Sequence, residues 1–139
     1  VIQRCVEMKR DVVARDEFDN GERRLLNLGH TVGHGVEAGS NFSLSHGKGV
    51  SIGMAIIARS AVNYRLLSPE NAKKIENILY AFHLPTRTEQ TAKTLAEYAL
   101  SDKKRAGGTV SLIIPRAIGR CEILPTPVEQ LEEFISAGL

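Results

Sequence analysis

Apolar residues recur through most of the chain at the three- and four-residue spacing of amphipathic helices. Ile2, Cys5, Val6, Val12 and Val13 predict a helix that is already under way at the start of the chain, an expectation of a piece cut from something longer. Asp19, Asn20 and Gly21 read as a break, after which Leu25, Leu28, Val32 and Val36 form the stripe of a second helix. A polar connection from Asn41 to Gly49 leads into a segment from Val50 to Leu66, rich in Ile, Ala and Met, with an early charge at Arg59. It predicts a helix buried on most sides. Ser68-Pro69 fits an N-cap with a first-turn proline, followed by an inward stripe of Ala72, Ile75, Leu79 and Phe82 that ends at Leu84-Pro85. A further helix is expected over Gln90 to Leu100, then a charged, glycine-containing loop from Ser101 to Gly108. Val110, Leu112 and Ile114 alternate as in a strand, which Arg120 to Leu124 can pair across Pro115 to Gly119. Thr126-Pro127-Val128-Glu129 fits a capping box, with Val128, Leu131 and Ile135 as the buried face of a closing helix. The expected fold is mainly α, a single helical domain over residues 1–139 with one small β-hairpin.

Composition narrows the function classes. A domain of 139 residues buries about 70% of its unfolded surface, enough for a real core. The net charge of +2 is too small to mark a nucleic-acid binder, so any basic site must come from local placement. Cys5 and Cys121 lack CxxC spacing, which points to neither a disulfide framework nor a cysteine metal site; a reducing cytoplasm is the expected setting. No apolar run approaches the roughly 20 residues a bilayer span needs, and no membrane role is expected.

The second predicted helix carries the candidate chemistry. Arg23, Asn27, His30 and His34 fall at i, i+4, i+7 and i+11, one face of a helix, and Glu37 extends it. These residue types bind anions, metals and protons, whereas an ordinary solvated face is built from Lys and Glu. Gly29, Gly33 and Gly35 sharpen the anomaly, since each glycine in a helix costs about 1 kcal/mol relative to alanine and calls for close approach by another backbone or a ligand. His30 and His34 are spaced to share a metal, yet HxxxH occurs often by chance; His46, before the core helix, is the one plausible addition, while His83 sits in a turn. The plain alternative is a helix whose histidines are merely hydrogen-bonded. Lys9 lies on an apolar stripe, placed either to snorkel or to reach an anion. Asp102-Lys103-Lys104-Arg105, before Gly107-Gly108, suits a phosphate or is a solvated turn.

The run Arg23-Arg24-Leu25-Leu26-Asn27-Leu28-Gly29-His30-Thr31-Val32-Gly33-His34, followed by Ser45-His46-Gly47 and Ile52-Gly53-Met54, resembles the signature of the 3-dehydroquinate synthase family of sugar-phosphate cyclases. Lys9, Asp16-Glu17, Asp102-Lys103-Lys104 and Ile118-Gly119 fall where that family's C-terminal half carries similar residues, so the resemblance runs end to end. It implies a helical half that packs against an N-terminal, Rossmann-like, NAD-holding half, absent here, with the active site in the cleft between them. Members convert 3-deoxy-arabino-heptulosonate 7-phosphate into 3-dehydroquinate and phosphate, a lyase step of the shikimate pathway of aromatic amino acid biosynthesis.

By the same resemblance, His30 and His46 are two ligands of a zinc ion, or of cobalt in its place, with a glutamate from the absent half as the third. His34 becomes a general acid or base beside the substrate. Lys9 and Arg23 hold the substrate carboxylate, and Asn27 and Lys103 contact its phosphate, with Lys104 the neighbouring candidate. The family tends to form homodimers. Two departures stand out: Asp19 where members usually carry Glu, and Lys48 after His-Gly where they usually carry Glu, a charge reversal within two residues of an implied metal ligand. The isolated chain is expected to be inactive. The competing expectations are a related cyclase with another substrate and a non-catalytic helical interaction module.

Overall fold

The computed structural model describes residues 1–18, 21–41, 43–100 and 108–139. Asp19 and the whole cationic run Asp102 to Arg105, with Lys103 and Lys104, lie outside the described residues. Six α-helices and a two-stranded antiparallel hairpin are formed among those described, in agreement with the mainly α expectation. In chain order they are α1 (Ile2–Arg15), a 3-10 helix (Glu22–Asn27), α2 (His30–Gly39), α3 (His46–Asn63), α4 (Pro69–Ala81), α5 (Ala92–Ala99), β1 (Thr109–Ala117), β2 (Arg120–Pro127), a short 3-10 turn (Val128–Gln130) and α6 (Leu131–Ser136). No described helix is long and apolar enough to cross a membrane.

The core gathers around α3, where Ile52, Ile56 and Ile57 meet Val32 and Val36 of α2, Leu95 of α5, Leu112 and Ile114 of β1, and Leu131 and Ile135 of α6. Arg59, the charge in this central helix, is satisfied at its edge: it donates to Glu76 of α4 at 2.6 Å, to the Thr86 carbonyl at 3.2 Å and to the Gly138 carbonyl. Ser68 caps α4 by accepting from the Asn71 amide at 3.2 Å, with Pro69 in the first turn, as predicted.

Five expectations are corrected. Phe82, expected on the inward stripe of α4, lies just past the end of the helix and is 54% exposed. The second helix is not continuous: residues 22–27 wind as a 3-10 helix, and Gly29, at φ +80, turns the chain in the left-handed region before α2 starts at His30. The stripe of α1 is not a buried face, for the helix buries no residue and leaves Ile2 82% and Val6 62% exposed. Pro115 is not part of the hairpin connection but sits in β1 opposite Cys121, so the turn tightens to Ile118-Gly119. The capping box does not form; Thr126 and Pro127 remain in β2, opposite Val110 and Thr109, and the Thr126 hydroxyl donates to the Leu124 carbonyl.

Gly53 governs the approach of α2 to α3. A Cβ at Gly53 would stand 2.1 Å from the Gly29 oxygen and 2.8 Å from the Gly33 nitrogen, so the helices meet backbone to backbone there. Gly33 thus has the close backbone approach its cost called for, on Gly49 and Val50 of α3, and Gly35 has it on the Leu95 backbone of α5.

Candidate active site

Close packing of α2 on α3 brings the first turn of each helix to the same edge. His30 opens α2, His34 follows one turn later, and His46 is the first residue of α3 rather than the residue before it. The three rings form a triangle, with centroids 5.3 Å apart for His30 and His46, 5.6 Å for His34 and His46, and 6.0 Å for His30 and His34.

Glu37 sits beneath this triangle and is itself buried. Its two carboxylate oxygens lie 3.2 Å from Nδ1 of His34 and 2.9 Å from Nδ1 of His46. His30 turns Nδ1 toward the Leu28 carbonyl at 3.4 Å. In each ring Nδ1 thus faces the protein, leaving Nε2 as the nitrogen open to a ligand. Ligand atoms of His34, Glu37 and His46 all fall within 4.8 Å of one another, a group that holds one expected metal ligand, His46, but not the other, His30. Imidazole nitrogens held in this way fit a zinc- or cobalt-type ion, which takes nitrogen donors readily.

Two hollows flank the histidines. The first, about 510 Å³, runs between α1 and the 3-10 helix and is lined by Cys5, Met8, Lys9, Arg23, Leu26, Asn27 and His30. The second, about 480 Å³, opens toward β1, lined by Arg24, Asn27, His30, Thr31, His34, Thr109, Ser111 and Ile113. Asn27 and His30 belong to both. Lys9, Arg23 and Asn27 are thus brought to one wall with His30, even though the helix expected to align the last three is broken. Asp16 shapes this wall: its carboxylate accepts from the amides of Gly21 at 2.8 Å and Arg23 at 3.0 Å, starting the 3-10 helix, while the Arg23 guanidinium donates to the Glu17 carbonyl at 2.7 Å. Lys48 is exposed in the first turn of α3, and Lys103 falls outside the described residues.

Sequence reasoning missed the part played by Glu37, taken as an extension of an open polar face. The available signal was its spacing of three from His34, which allows a side-chain hydrogen bond on one helix. It also passed over Arg24 and Ser111, whose side chains hydrogen-bond across the second hollow from the 3-10 helix to β1. No local signal points to that pair, since 87 positions separate them.

Residues 1–105 match the family described as 3-dehydroquinate synthase C-terminal. The chain belongs to that family. Among curated relatives, it is 36% identical over 138 residues to the 3-dehydroquinate synthase of Enterococcus faecalis, covering 98% of this chain and 38% of the relative. It is 42% identical over 139 residues to that of Rhizobium etli, covering 93% of this chain and 37% of the relative. The chain therefore spans less than two fifths of the length of these relatives, corresponding to their C-terminal part. The fold recurs in solved structures of other proteins. A 2-deoxy-scyllo-inosose synthase complexed with carbaglucose-6-phosphate, NAD+ and Co2+ superposes with a TM-score of 0.80 at 20% identity, covering 99% of this chain and 40% of that one. A 2-epi-5-epi-valiolone synthase from Streptomyces hygroscopicus with NAD+ and Zn2+ bound gives 0.78 at 22% identity, covering 96% and 38%.

Proposed function

We propose that the chain is the metal- and substrate-binding part of a 3-dehydroquinate synthase, converting 3-deoxy-arabino-heptulosonate 7-phosphate into 3-dehydroquinate and phosphate in the shikimate pathway of the cytoplasm. One observation carries the reading: three imidazoles with Nδ1 turned inward gather beside two hollows that share Asn27 and His30, in a chain of this family. The NAD-binding half is a separate N-terminal part, and the assembled enzyme is a homodimer.

In this reading His30 and His46 hold a zinc or cobalt ion, completed by a carboxylate of the other half. When bound, the metal supplies Lewis-acid stabilisation of negative oxygen and NAD supplies reversible oxidation. The chain's own groups do the rest. Lys9 and Arg23 grip the substrate carboxylate and so fix its orientation, a large share of catalysis when several bonds must change in one site. Asn27 and Lys103 hold the phosphate. His34, its Nδ1 tied to Glu37, presents Nε2 to take or give a proton at a substrate oxygen, a role suited to imidazole near neutral pH.

The test is to mix the chain with the recombinant N-terminal half of a relative, NAD, Zn2+ and substrate, and follow phosphate release. Activity is expected only in the mixture, with His30→Ala lowering it by at least about 100-fold. Halves that associate but release no phosphate would overturn the reading.

A further inference from the structure

Glu37 is an unusual member of this cluster because it is hidden while its partners are open. Its side chain is 10% exposed, against 59% for His34 and 56% for His46. The stem is wedged as well: a Cβ on Gly49 would lie 2.7 Å from Glu37 Cγ, so only a glycine in α3 leaves room for it. We infer that Glu37 is a positioning residue, one carboxylate that sets the tautomer and the heading of two imidazoles at once, so that His34 and His46 both address the site through Nε2. What those two nitrogens meet rests on the function proposed above; the setting of the tautomers does not.

The inference follows from donor and acceptor counts. An ionised carboxylate has only acceptor positions, so a ring nitrogen hydrogen-bonded to it must carry the hydrogen. A neutral imidazole has one N–H, and placing it on Nδ1 puts the lone pair on Nε2. Glu37 imposes this on both rings because Oε2 serves His34 and Oε1 serves His46. The bridge also joins α2 to α3, since His34 and Glu37 belong to the first helix and His46 to the second. A buried carboxylate is costly to leave unpartnered, so both rings are drawn back to it whenever they swing away. Glutamine in its place has the same length and shape but one accepting oxygen and one donating amide. It can receive an Nδ1–H from one ring only; the other must move its hydrogen to Nε2 and lose the outward lone pair.

The decisive measurement is long-range proton–nitrogen correlation NMR of the histidine rings in the metal-free chain, at about pH 8.5, where imidazoles are mainly neutral. His34 and His46 should both appear as Nδ1–H tautomers, and Glu37→Gln should convert one of them to Nε2–H. An Nε2–H tautomer on either ring of the unaltered chain overturns the inference, and that experiment needs no variant to fold. Titration with Co2+ alone adds a second readout: Glu37→Gln should weaken binding by about 10- to 100-fold, the usual reach of a residue that orients a metal ligand. Equal Co2+ affinity in the two proteins, with His46 seen as the converted ring in the variant, would also overturn the role. If neither binds Co2+ while the tautomers are as expected, the metal reading fails and the positioning role stands.

Discussion

The helices α1 and α3 carry the same kind of sequence signal and meet opposite fates. Both have apolar residues at helical spacing, yet α3 buries ten residues and α1 buries none. The difference lies in what each meets. A glycine seam lets α3 press its backbone against α2, and α4, β1 and α6 close over its remaining faces. Among the described residues nothing covers Ile2 and Val6 of α1, whose contribution is the wall that carries Lys9. An amphipathic stripe states that a face needs cover; it does not state that the same chain supplies it.

The sharpest way to break this contrast is Gly53→Ala. Alanine improves helix propensity by about 1 kcal/mol, but its Cβ cannot coexist with the backbone of Gly29 and Gly33. The seam must open, and a net loss of about 3 kcal/mol or more is expected in urea denaturation. A melt indistinguishable from that of the parent would show the seam to be looser than described. Val6→Ser, on the bare stripe of α1, should by contrast change stability by no more than about 0.5 kcal/mol in the same measurement, as at other exposed positions. A large loss there would mean that α1 is covered in solution.

The smallest expected effect concerns the tether between α1 and the 3-10 helix. Arg15 donates to both oxygens of Glu22, at 2.8 and 2.7 Å, and chiefly through this hydrogen bonding it holds the Glu22 carboxyl below its ordinary value of 4.5. A carboxyl lowered in the folded state stabilises the fold above its unfolded value and loses that contribution as pH falls through the folded one. Glu22→Gln should therefore lower the melting temperature slightly at neutral pH, with the gap closing below pH 4.5. A gap that persists in strong acid would assign the effect to something other than this pair.

Much of the architecture was legible because local and tertiary demands agreed. Ser68-Pro69 starts α4 where the cap and the ring geometry of proline both direct it, and the alternation of Val110, Leu112 and Ile114 became a strand with those residues in the core. The failures have distinct physical causes. The break at Gly29 is silent in the pattern, since Leu25, Leu28, Val32 and Val36 continue at helical spacing across a residue whose φ has changed sign. Thr126-Pro127 matched a helix start, but pairing with Val110 and Thr109 outweighed the cap. Of the site, the residue types and their gathering around His30 were readable from spacing and resemblance. The burial of Glu37 was not, because it depends on His46 and Gly49 arriving from a different helix.

The seam between α2 and α3 has one more consequence, for the chain that joins them. Gly29, Gly33 and Gly53 set how near the two helices lie, and Glu37 locks His46 to the far side of the joint. Residues 40–45 therefore connect two parts already held in register by other means. Extra length inserted just after Asn41, ahead of the core-packed Leu44 and the Ser45 cap of α3, would add a modest loop-closure entropy while both helices stay held, making that point a natural attachment for a reporter beside the candidate site.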